Sequence, residues 1–506
     1  MSVAGNLAFQ SGALYLVQLS PTTSASTNVT GTATLGNATV NASFAPGSYV
    51  AKTYTIVTAG NISGTFSNTV VNTNLPANFS TSLSYDAHDV FLNLAVSFAA
   101  PSGLSGNQQA VANLLTNFFN AGGSLPVAFA TLGPAGLTQA TGETATGSQQ
   151  TTFDAMMQFL GVMTDPFIAG RGGWTTPSTG ASPYAEEDDG ANAYAANGTP
   201  RSKSERDAYA AMYRKAPQVA DPFAQRWSVW AAGYGGSQTT DGNAALGSNT
   251  ATSRIAGTAV GADYRISPYT LAGFALAGGG TSFSVANGGT GRSDLFQAGA
   301  FIRHDVGPAY ITGALAYGWQ DITTDRIVTI AGVDHLHAEF NANAFSGRVE
   351  GGYRFVAPWT NGVGITPYAA AQFTTFDLPA YAEQALSGAN TFAQSYGARD
   401  VTDTRSELGI RTDKSYAMQD AILTLRGRFA WAHDFNPDRD ISATFQSLPG
   451  ASFVVNGAAQ ASDSALVTAS AEMRWRNGWS AAATFEGEFS DVTRSYAGKG
   501  IVRYSW

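Results

Sequence analysis

The C-terminal end of this chain constrains its fold more than any other segment. The last twelve residues read SYAGKGIVRYSW and alternate between two faces along their whole length. One face carries Tyr496, Gly498, Gly500, Val502, Tyr504 and Trp506, and the other carries Lys499, Arg503 and Ser505. A strand with one aromatic face and one polar face suits a sheet with lipid on one side and water on the other. On a soluble protein the same exposed edge would invite aggregation. The ending therefore predicts the closing strand of a membrane-spanning β-barrel.

Composition agrees with a β-rich, ordered chain. Of the 506 residues 44% are hydrophobic and 12% charged, which is too apolar for disorder and too charged for a helical membrane protein. The 56 Gly, 29 Phe and 20 Tyr favour strands with tight turns. The most apolar window, residues 90–100, is interrupted by Asn93 and Ser97 and is too short for a spanning helix. A net charge of −9 argues against a nucleic-acid partner, because no basic stripe could displace phosphate counterions.

The chain contains no cysteine, which fits passage through an oxidising periplasm without disulfides but would also fit a cytosolic protein. The N-terminal residues MSVAGNLAFQ have neither the basic start nor the apolar core of a secretion signal. If the barrel prediction holds, we therefore expect a natural precursor with further sequence upstream.

Residues 1–100 differ from the rest in being short runs rich in Thr, Val, Asn and Gly, such as TNVTGTATLGNATVNASF and KTYTIVTAGNISGTFSNTVV. Strands that are each too small to bury a face alone suit the stacked coils of a right-handed β-helix or its capping end. A β-sandwich is the alternative for these strands.

Residues 101–202 combine helical segments with a linker. Two apolar stripes at helical spacing predict helices that pack against the preceding strands. They consist of Val111, Leu114, Leu115, Phe118 and Phe119, and of Phe153, Met156, Met157 and Leu160. Residues 168–202 lose all periodicity, which predicts a flexible linker. Lys203 to Ala216, KSERDAYAAMYRKA, predicts a polar helix within residues 203–220, either exposed or inside a water-filled lumen.

Residues 226–506 read as twelve antiparallel strands whose lengths match tilted strands crossing a hydrocarbon layer. The predicted strands are 226–237, 251–265, 269–281, 292–306, 308–322, 341–356, 363–376, 400–415, 421–435, 462–476, 479–489 and 495–506. Connections after even-numbered strands are short, whereas those after odd-numbered strands are mostly long, as between Asn436 and Ala461. Short turns at one end and long loops at the other, with an even strand number, are typical of outer-membrane barrels.

Several of these strands oppose an apolar face to a charged one, and the charges are predicted to line one wet lumen. The predicted lumen-facing charges are Arg348, Glu350, Arg354, Arg426, Arg428, Glu472, Arg474, Glu486 and Glu488. A soluble sandwich would show the same alternation, so the connection lengths favour the barrel.

Three stretches resemble the C-terminal half of classical monomeric autotransporters, the type V secretion proteins. RWSVWAAGYGG at Arg226 resembles the first strand of that family's barrel, ITPYAAAQF at Ile365 its mid-barrel stretch, and YAGKGIVRYSW its terminal strand. Residues 28–98, with GTATLGNATV, YTIVTAG, ISGTF and DVFLNL, look like the end of a pertactin-type β-helical passenger. The family usually has a glycine where this chain has Ile501.

The resemblance implies an all-β fold: a twelve-stranded antiparallel transmembrane β-barrel with a lumen helix at Lys203 to Ala216, preceded by the end of a β-helical passenger. It implies a translocator that exports and anchors its own passenger from the bacterial outer membrane, with residues before about 200 at the cell surface. Implied partners are outer-membrane lipid and lipopolysaccharide, the barrel-assembly machinery, periplasmic chaperones and the passenger, and the chain is expected to be a monomer. Val502, Tyr504 and Trp506 would form the C-terminal insertion signal.

The residues give little support for an enzyme or a cofactor site. GxSxG, phosphate-loop and HExxH motifs are absent from the sequence. Asp334, His335 and His337 could chelate a metal, but a solvated loop is the preferred interpretation. The Asn-Asn junction at which some relatives cleave their passenger is absent from 203–216, and the nearest asparagines are Asn192 and Asn197. We therefore expect no catalytic residue, metal or cofactor. A porin-like channel, a barrel-anchored adhesin and a soluble lectin-like β-protein are the alternatives.

Overall fold

The computed structural model describes residues 1–47, 49, 52–76, 79–96, 103–121, 123, 125–130, 132–167, 226–356 and 362–506. The predicted linker 168–202 and the predicted helix at 203–216 lie outside these residues.

The N-terminal region consists of short strands. They are β1 (Ser2–Val3), β2 (Leu7–Ala8), β3 (Leu14–Leu19), β4 (Thr27–Thr34), β5 (Thr39–Phe44), β6 (Lys52–Ser63), β7 (Val71–Thr73), β8 (Phe79–Tyr85) and β9 (Asp89–Val96). Strands β1, β2, β4 and β6 pair in parallel in one sheet, and β3, β5 and β7 pair in parallel in a second. Strands β9 and β8 then extend the first sheet in antiparallel fashion. The apolar side chains between the sheets, such as Val17, Val40 and Ile56, are fully buried. Successive parallel pairing is the winding expected of stacked coils.

A helical region follows the strands. It contains α1 (Gly106–Asn120), α2 (Val127–Ala130), α3 (Pro134–Ala140), a short 3₁₀ helix (Glu143–Thr146) and α4 (Gly147–Met163). At the start of α1 the Ser105 backbone N–H donates to the Gln108 side chain. This bond satisfies an N–H group that has no partner within the helix. The predicted stripe of α1 is buried except at Phe118, which is partly buried, and Phe119 contacts Phe79 of β8 edge to face. None of the helices within the described residues is both long and apolar enough to cross a membrane.

Twelve long antiparallel strands form a closed barrel, which confirms the predicted fold class. They are β10 (Trp227–Thr240), β11 (Ala251–Ser267), β12 (Thr270–Val285), β13 (Gly289–Val306), β14 (Ala309–Val328), β15 (Asp334–Tyr353), β17 (Gly364–Leu378), β21 (Arg399–Ala417), β22 (Ala421–Asp434), β25 (Asp463–Trp475), β26 (Trp479–Phe489) and β27 (Thr493–Ser505). Within the described part of the connections, six short strands occur: β16 (Phe355–Val356), β18 (Tyr381–Ala382), β19 (Gln384–Ser387), β20 (Gln394–Tyr396), β23 (Asp440–Phe445) and β24 (Ser452–Asn456).

The ring closes between its first and last strands. β10 pairs with β27 from Ser228 opposite Ser505 to Thr240 opposite Thr493, and β15 pairs with β17. A closed ring leaves no free strand edge, so the soluble two-sheet alternative is wrong. We call the end at which Trp227 and Trp506 lie the terminal end, and the opposite end, with the long connections β17–β21 and β22–β25, the loop end.

The barrel surface is apolar outside and polar inside. Large apolar side chains point outward and stay exposed, with Leu315 at 68% and Phe429 at 66% exposure. Exposed aromatics gather at the terminal end: Trp227, Tyr269, Tyr353, Trp475, Trp479 and Trp506. Such a girdle is typical of a lipid–water interface.

The loop end is covered rather than open. β18, β20, β23 and β24 form a small sheet there. Phe129 of α2 packs between Phe392 and Phe445 of that sheet region, with ring centroids 4.8 and 5.0 Å away. We call residues 105–146, which include α1 to α3 and the 3₁₀ helix, the helical cap.

Candidate functional site

Helix α4 lies inside the barrel, where its side chains contact the inward faces of β10 to β15 and β17. The sequence predicted that this helix packs against the preceding N-terminal strands. In the structure its apolar stripe instead packs against small residues of the barrel wall. A Cβ on Gly318 would lie 2.8 Å from the Met156 sulfur, and one on Gly299 would lie 2.9 Å from the Met163 sulfur. The inward glycines therefore make the space that the helix occupies.

Polar contacts complete the fit of the helix in the lumen. Gln320 donates to Thr152 Oγ1 at 3.0 Å, and Gln297 donates to the carbonyl of Ala155 at 3.1 Å. Ser253 donates to the Asp154 carboxylate at 2.7 Å. Buried polar groups need such partners, so these wall residues fix the depth and rotation of the helix.

Beyond the C-terminal end of α4, the inward face of the barrel wall carries a network of buried ion pairs. Arg411 donates to both oxygens of Glu350 at 2.6 and 2.7 Å and to the Tyr310 hydroxyl at 2.7 Å. Arg348 bridges Glu350 and Glu407, at 3.0 and 2.9 Å. Bidentate geometry and alternating sign let each charge satisfy its neighbours away from bulk water.

The network continues to the helix itself. Lys499 of β27 contacts Asp165 and Glu486, both at 3.0 Å, and donates to the Gly161 carbonyl at the C-terminal end of α4. Arg405 pairs with Glu488 at 2.8 Å. A cavity of about 110 Å³ remains between the helix end and these side chains. The lumen is thus polar, and the helix occupies part of it.

The structure brings most of the predicted lumen charges together. Arg348, Glu350, Arg428, Glu486 and Glu488 line the cavity. Arg426 pairs with Glu472 at 2.7 Å and also donates to the Phe167 carbonyl. Arg354 pairs with Asp413 at 2.7 Å in a partly exposed position, and Arg474 is exposed beside the turn into β26.

Sequence reasoning missed the charges of β21. Arg405, Glu407 and Arg411 are buried in the network, and their alternate spacing with Asp403 and Asp413 was a visible signal in the sequence. Asp165 was missed because only the fold shows that it pairs with Lys499.

The C-terminal residues lie at the seam of the barrel. Trp506 and Trp227 exchange two backbone hydrogen bonds, at 3.0 and 3.2 Å. Tyr504 stacks on Trp506 with ring centroids 5.7 Å apart, and Val502 and Trp506 are each about half exposed. These side chains present an apolar surface next to the seam.

The three residues considered as chelators are separated. His335 and His337 both contact one oxygen of Asp325, at 2.9 and 3.0 Å, while Asp334 accepts from the Ala389 N–H. Within the described ranges, no group of three or more His, Cys, Asp or Glu side chains is arranged to hold a metal ion.

Comparison with known proteins identifies the barrel. The family described as Autotransporter beta-domain matches residues 229–486, about half of the chain. The chain is 27% identical over 185 residues to an extracellular serine protease of Serratia marcescens, and the match covers 36% of this chain and 17% of that protein. The chain therefore spans only a small part of that relative.

Two solved structures are similar in fold. The translocator domain of the autotransporter NalP from Neisseria meningitidis is 18% identical, with a TM-score of 0.44 and coverage of 60% of this chain and 97% of that one. The β-domain of the Bordetella autotransporter BrkA is also 18% identical, with a TM-score of 0.43 and coverage of 56% and 100%.

The β-domain of this family is an outer-membrane translocator fold without enzymatic activity of its own. The family match includes most of the barrel, from β10 to β26. The chain belongs to the autotransporter β-domain family.

Proposed function

We propose that this chain exports its own N-terminal passenger through the barrel and then anchors it at the cell surface. One observation supports this most directly: the path of the chain through the lumen. Gln149 near the start of α4 donates to the Asp440 carbonyl at the loop end, whereas Phe167 beyond its end contacts Arg426 deep in the wall. The chain re-enters the described structure at Arg226, next to the terminal end.

Because α4 enters the lumen from the loop end, we infer that the described residues before Gly147 lie on the loop-end side of the barrel. We infer that this side faces the exterior, so that residues 1–100 are the end of a surface-exposed β-helical passenger. The charged lumen would hydrate an extended chain in transit, and α4 would occupy it afterwards. Coil-by-coil folding of the passenger outside would make return unfavourable.

No catalytic residue is required for this function, and we infer that the chain is not an enzyme. Carboxylates in a lumen are more often partners of Arg than acids or bases, as the Glu350–Arg411 pair illustrates. We further infer that Val502, Tyr504 and Trp506 present the insertion signal to the barrel-assembly machinery after delivery by periplasmic chaperones. Outer-membrane lipid and lipopolysaccharide would surround a monomeric barrel.

A reporter domain fused before Met1 tests the proposal. The full chain should display the reporter on intact cells, whereas deletion of 28–98 should leave a heat-modifiable barrel with the reporter stranded inside. Failure of the full chain to display the reporter would contradict the translocator function. Normal display by the deletion variant would contradict the role given to 28–98.

A porin-like channel is the main alternative. An open channel should conduct ions in planar bilayers as the full chain, whereas a lumen filled by α4 should conduct poorly. A full chain that conducts as well as an open twelve-stranded pore would favour the porin.

A further inference from the structure

The helical cap is attached to the barrel by buried amide contacts that the lumen function does not use. Asn107 of α1 is 1% exposed. Its side chain donates to the Asn456 carbonyl at 2.7 Å and to the Gly247 carbonyl at 3.2 Å, and it accepts from the Asn456 N–H at 2.9 Å. One side chain therefore joins the cap to two different loop-end segments.

Further contacts join the cap to other loops. The Asn249 backbone N–H donates to the Glu143 carboxylate at 2.7 Å, and the Thr329 N–H donates to the Gln139 side chain at 2.9 Å. Arg326, which is buried and paired with Glu383, donates to the Gln139 carbonyl at 2.9 Å. All of these barrel-side partners lie at the loop end, and the contacts come from both halves of the ring.

An apolar contact also joins the helical cap to the loop end. Phe129 packs between Phe392 and Phe445, and all three rings are fully buried. A buried aromatic cluster surrounded by satisfied amides is a specific interface rather than a loose contact.

The order of the chain gives this interface a direction. The cap precedes α4, and α4 already contacts seven strands inside the barrel. A cap of three packed helices could not share that lumen without unfolding, because protein interiors are close-packed. The cap can therefore meet its partners only after residues 105–146 have left the barrel at the loop end.

We propose that the loop end is a docking surface for the chain's own helical cap, and that docking is a latch which prevents an exported chain from sliding back. Asn107 and Glu143 are the positioning residues of this latch. The inference rests on the proposed export function and adds a step to it: capture of residues 105–146 at the exit, before the passenger coils have folded.

The absence of cysteine from the chain provides a clean assay. Asn68→Cys introduces one exposed thiol among the N-terminal strands, which a membrane-impermeant maleimide labels only on the outside of intact cells. Asn107→Leu removes the amide contacts and leaves the Asn456 N–H unsatisfied. Gln109→Ala is the matched control, because the Gln109 side chain donates to Asn113 of the same helix and, among the described residues, to no loop-end segment.

Loss of a buried hydrogen-bonded amide should shift the docking equilibrium about tenfold or more towards the undocked state. In Asn107→Leu, amide hydrogen exchange of 106–120 should accelerate accordingly, and labelling of the introduced thiol should appear several-fold more slowly than in Gln109→Ala. Heat-modifiability of the barrel should be unchanged. Asn249→Ala keeps the backbone bond to Glu143 but removes the bond that the Asn249 side-chain amide donates to the other carboxylate oxygen, and it should cause a smaller effect of the same sign.

Two results would overturn the latch. Labelling at the control rate despite faster exchange in α1 would show that docking does not assist export, and unchanged exchange would show that Asn107 does not hold the cap. If the Asn107→Leu protein does not accumulate in cells, the same two measurements on Asn249→Ala test the latch, and the same outcomes would overturn it. A failure of export itself is distinguishable, because the Asn68→Cys parent would then remain unlabelled.

Discussion

At the residue scale, we expect the buried Arg411–Glu350 pair to be highly sensitive to substitution. Arg411→Met would leave the Glu350 carboxylate, 8% exposed, without its bidentate partner. Breaking a buried pair from one side costs about 3 kcal/mol or more. We expect a clear drop in the temperature at which the folded barrel unfolds on semi-native gels, and partial recovery when Glu350→Gln is added.

Arg354→Met is the matched control for that substitution. Arg354 and Asp413 are paired at 2.7 Å, but their side chains are 30% and 23% exposed. Partly hydrated pairs contribute about 1 kcal/mol or less. Equal losses from Arg354→Met and Arg411→Met would show that burial of the network does not govern its energetics.

Glu143 gives the cap a pH dependence at the same scale. Burial raises the pKa of the Glu143 carboxyl to about 7, although Asn249 donates two hydrogen bonds to it. The docked cap therefore keeps a proton that the undocked cap loses at the ordinary pKa of about 4.5. Between these values docking should strengthen as the pH falls, by up to about tenfold per unit, and above about pH 7 it should level off.

Hydrogen exchange of the cap at about pH 5.5 and at about pH 8 measures this effect. The wild-type cap should be better protected at the lower pH, whereas Glu143→Gln, which cannot ionise, should lose most of the difference. Stronger protection at the higher pH would contradict the sign.

At the element scale, α4 depends on glycines that the barrel places beneath it. Gly318→Leu would put a side chain where the Met156 sulfur lies, since even a Cβ there would be 2.8 Å away. We expect the helix to be displaced and single-channel conductance to rise. Gly313→Leu on the same strand faces outward into open space and should leave conductance low. Equal conductance in the two variants would argue that α4 does not occlude the lumen.

The elements also show how far the sequence could lead. All twelve barrel strands were predictable, because alternation such as Val467, Ala469 and Ala471 against Thr468 and Ser470 is a local property. The place of α4 was not, because its stripe of Phe153, Met156 and Leu160 shows that a face is buried but not against what. The partners that decide it, Gly299 and Gly318, are far away in sequence.

Only part of the ion-pair network in the lumen was predictable from the sequence. Arg348, Glu350 and Glu486 were found from strands with a strong apolar face, whereas β21 has Thr404 and Ser406 on its outward side, and this weakened the contrast. The docking contacts of Asn107 and Glu143 had no local signal, since each joins residues more than a hundred positions apart.

At the scale of the whole molecule, the C-terminal residues should matter more for assembly than for the finished barrel. Trp506→Ser removes an exposed ring but keeps the backbone bonds to Trp227. We expect a lower yield of inserted barrel in cells, with nearly unchanged unfolding temperature for the molecules that insert. A normal yield would argue against Trp506 as part of the insertion signal.

The proposed export function requires that the chain run through the closed barrel with its N-terminal region outside the cell. The most direct measurement is thiol labelling of intact and permeabilised cells carrying either Asn68→Cys or Asn477→Cys, the latter at an exposed turn of the terminal end. If the N-terminal region lies outside, Asn68→Cys is labelled in intact cells and Asn477→Cys only after permeabilisation. The reverse pattern, or labelling of both in intact cells, would contradict this arrangement.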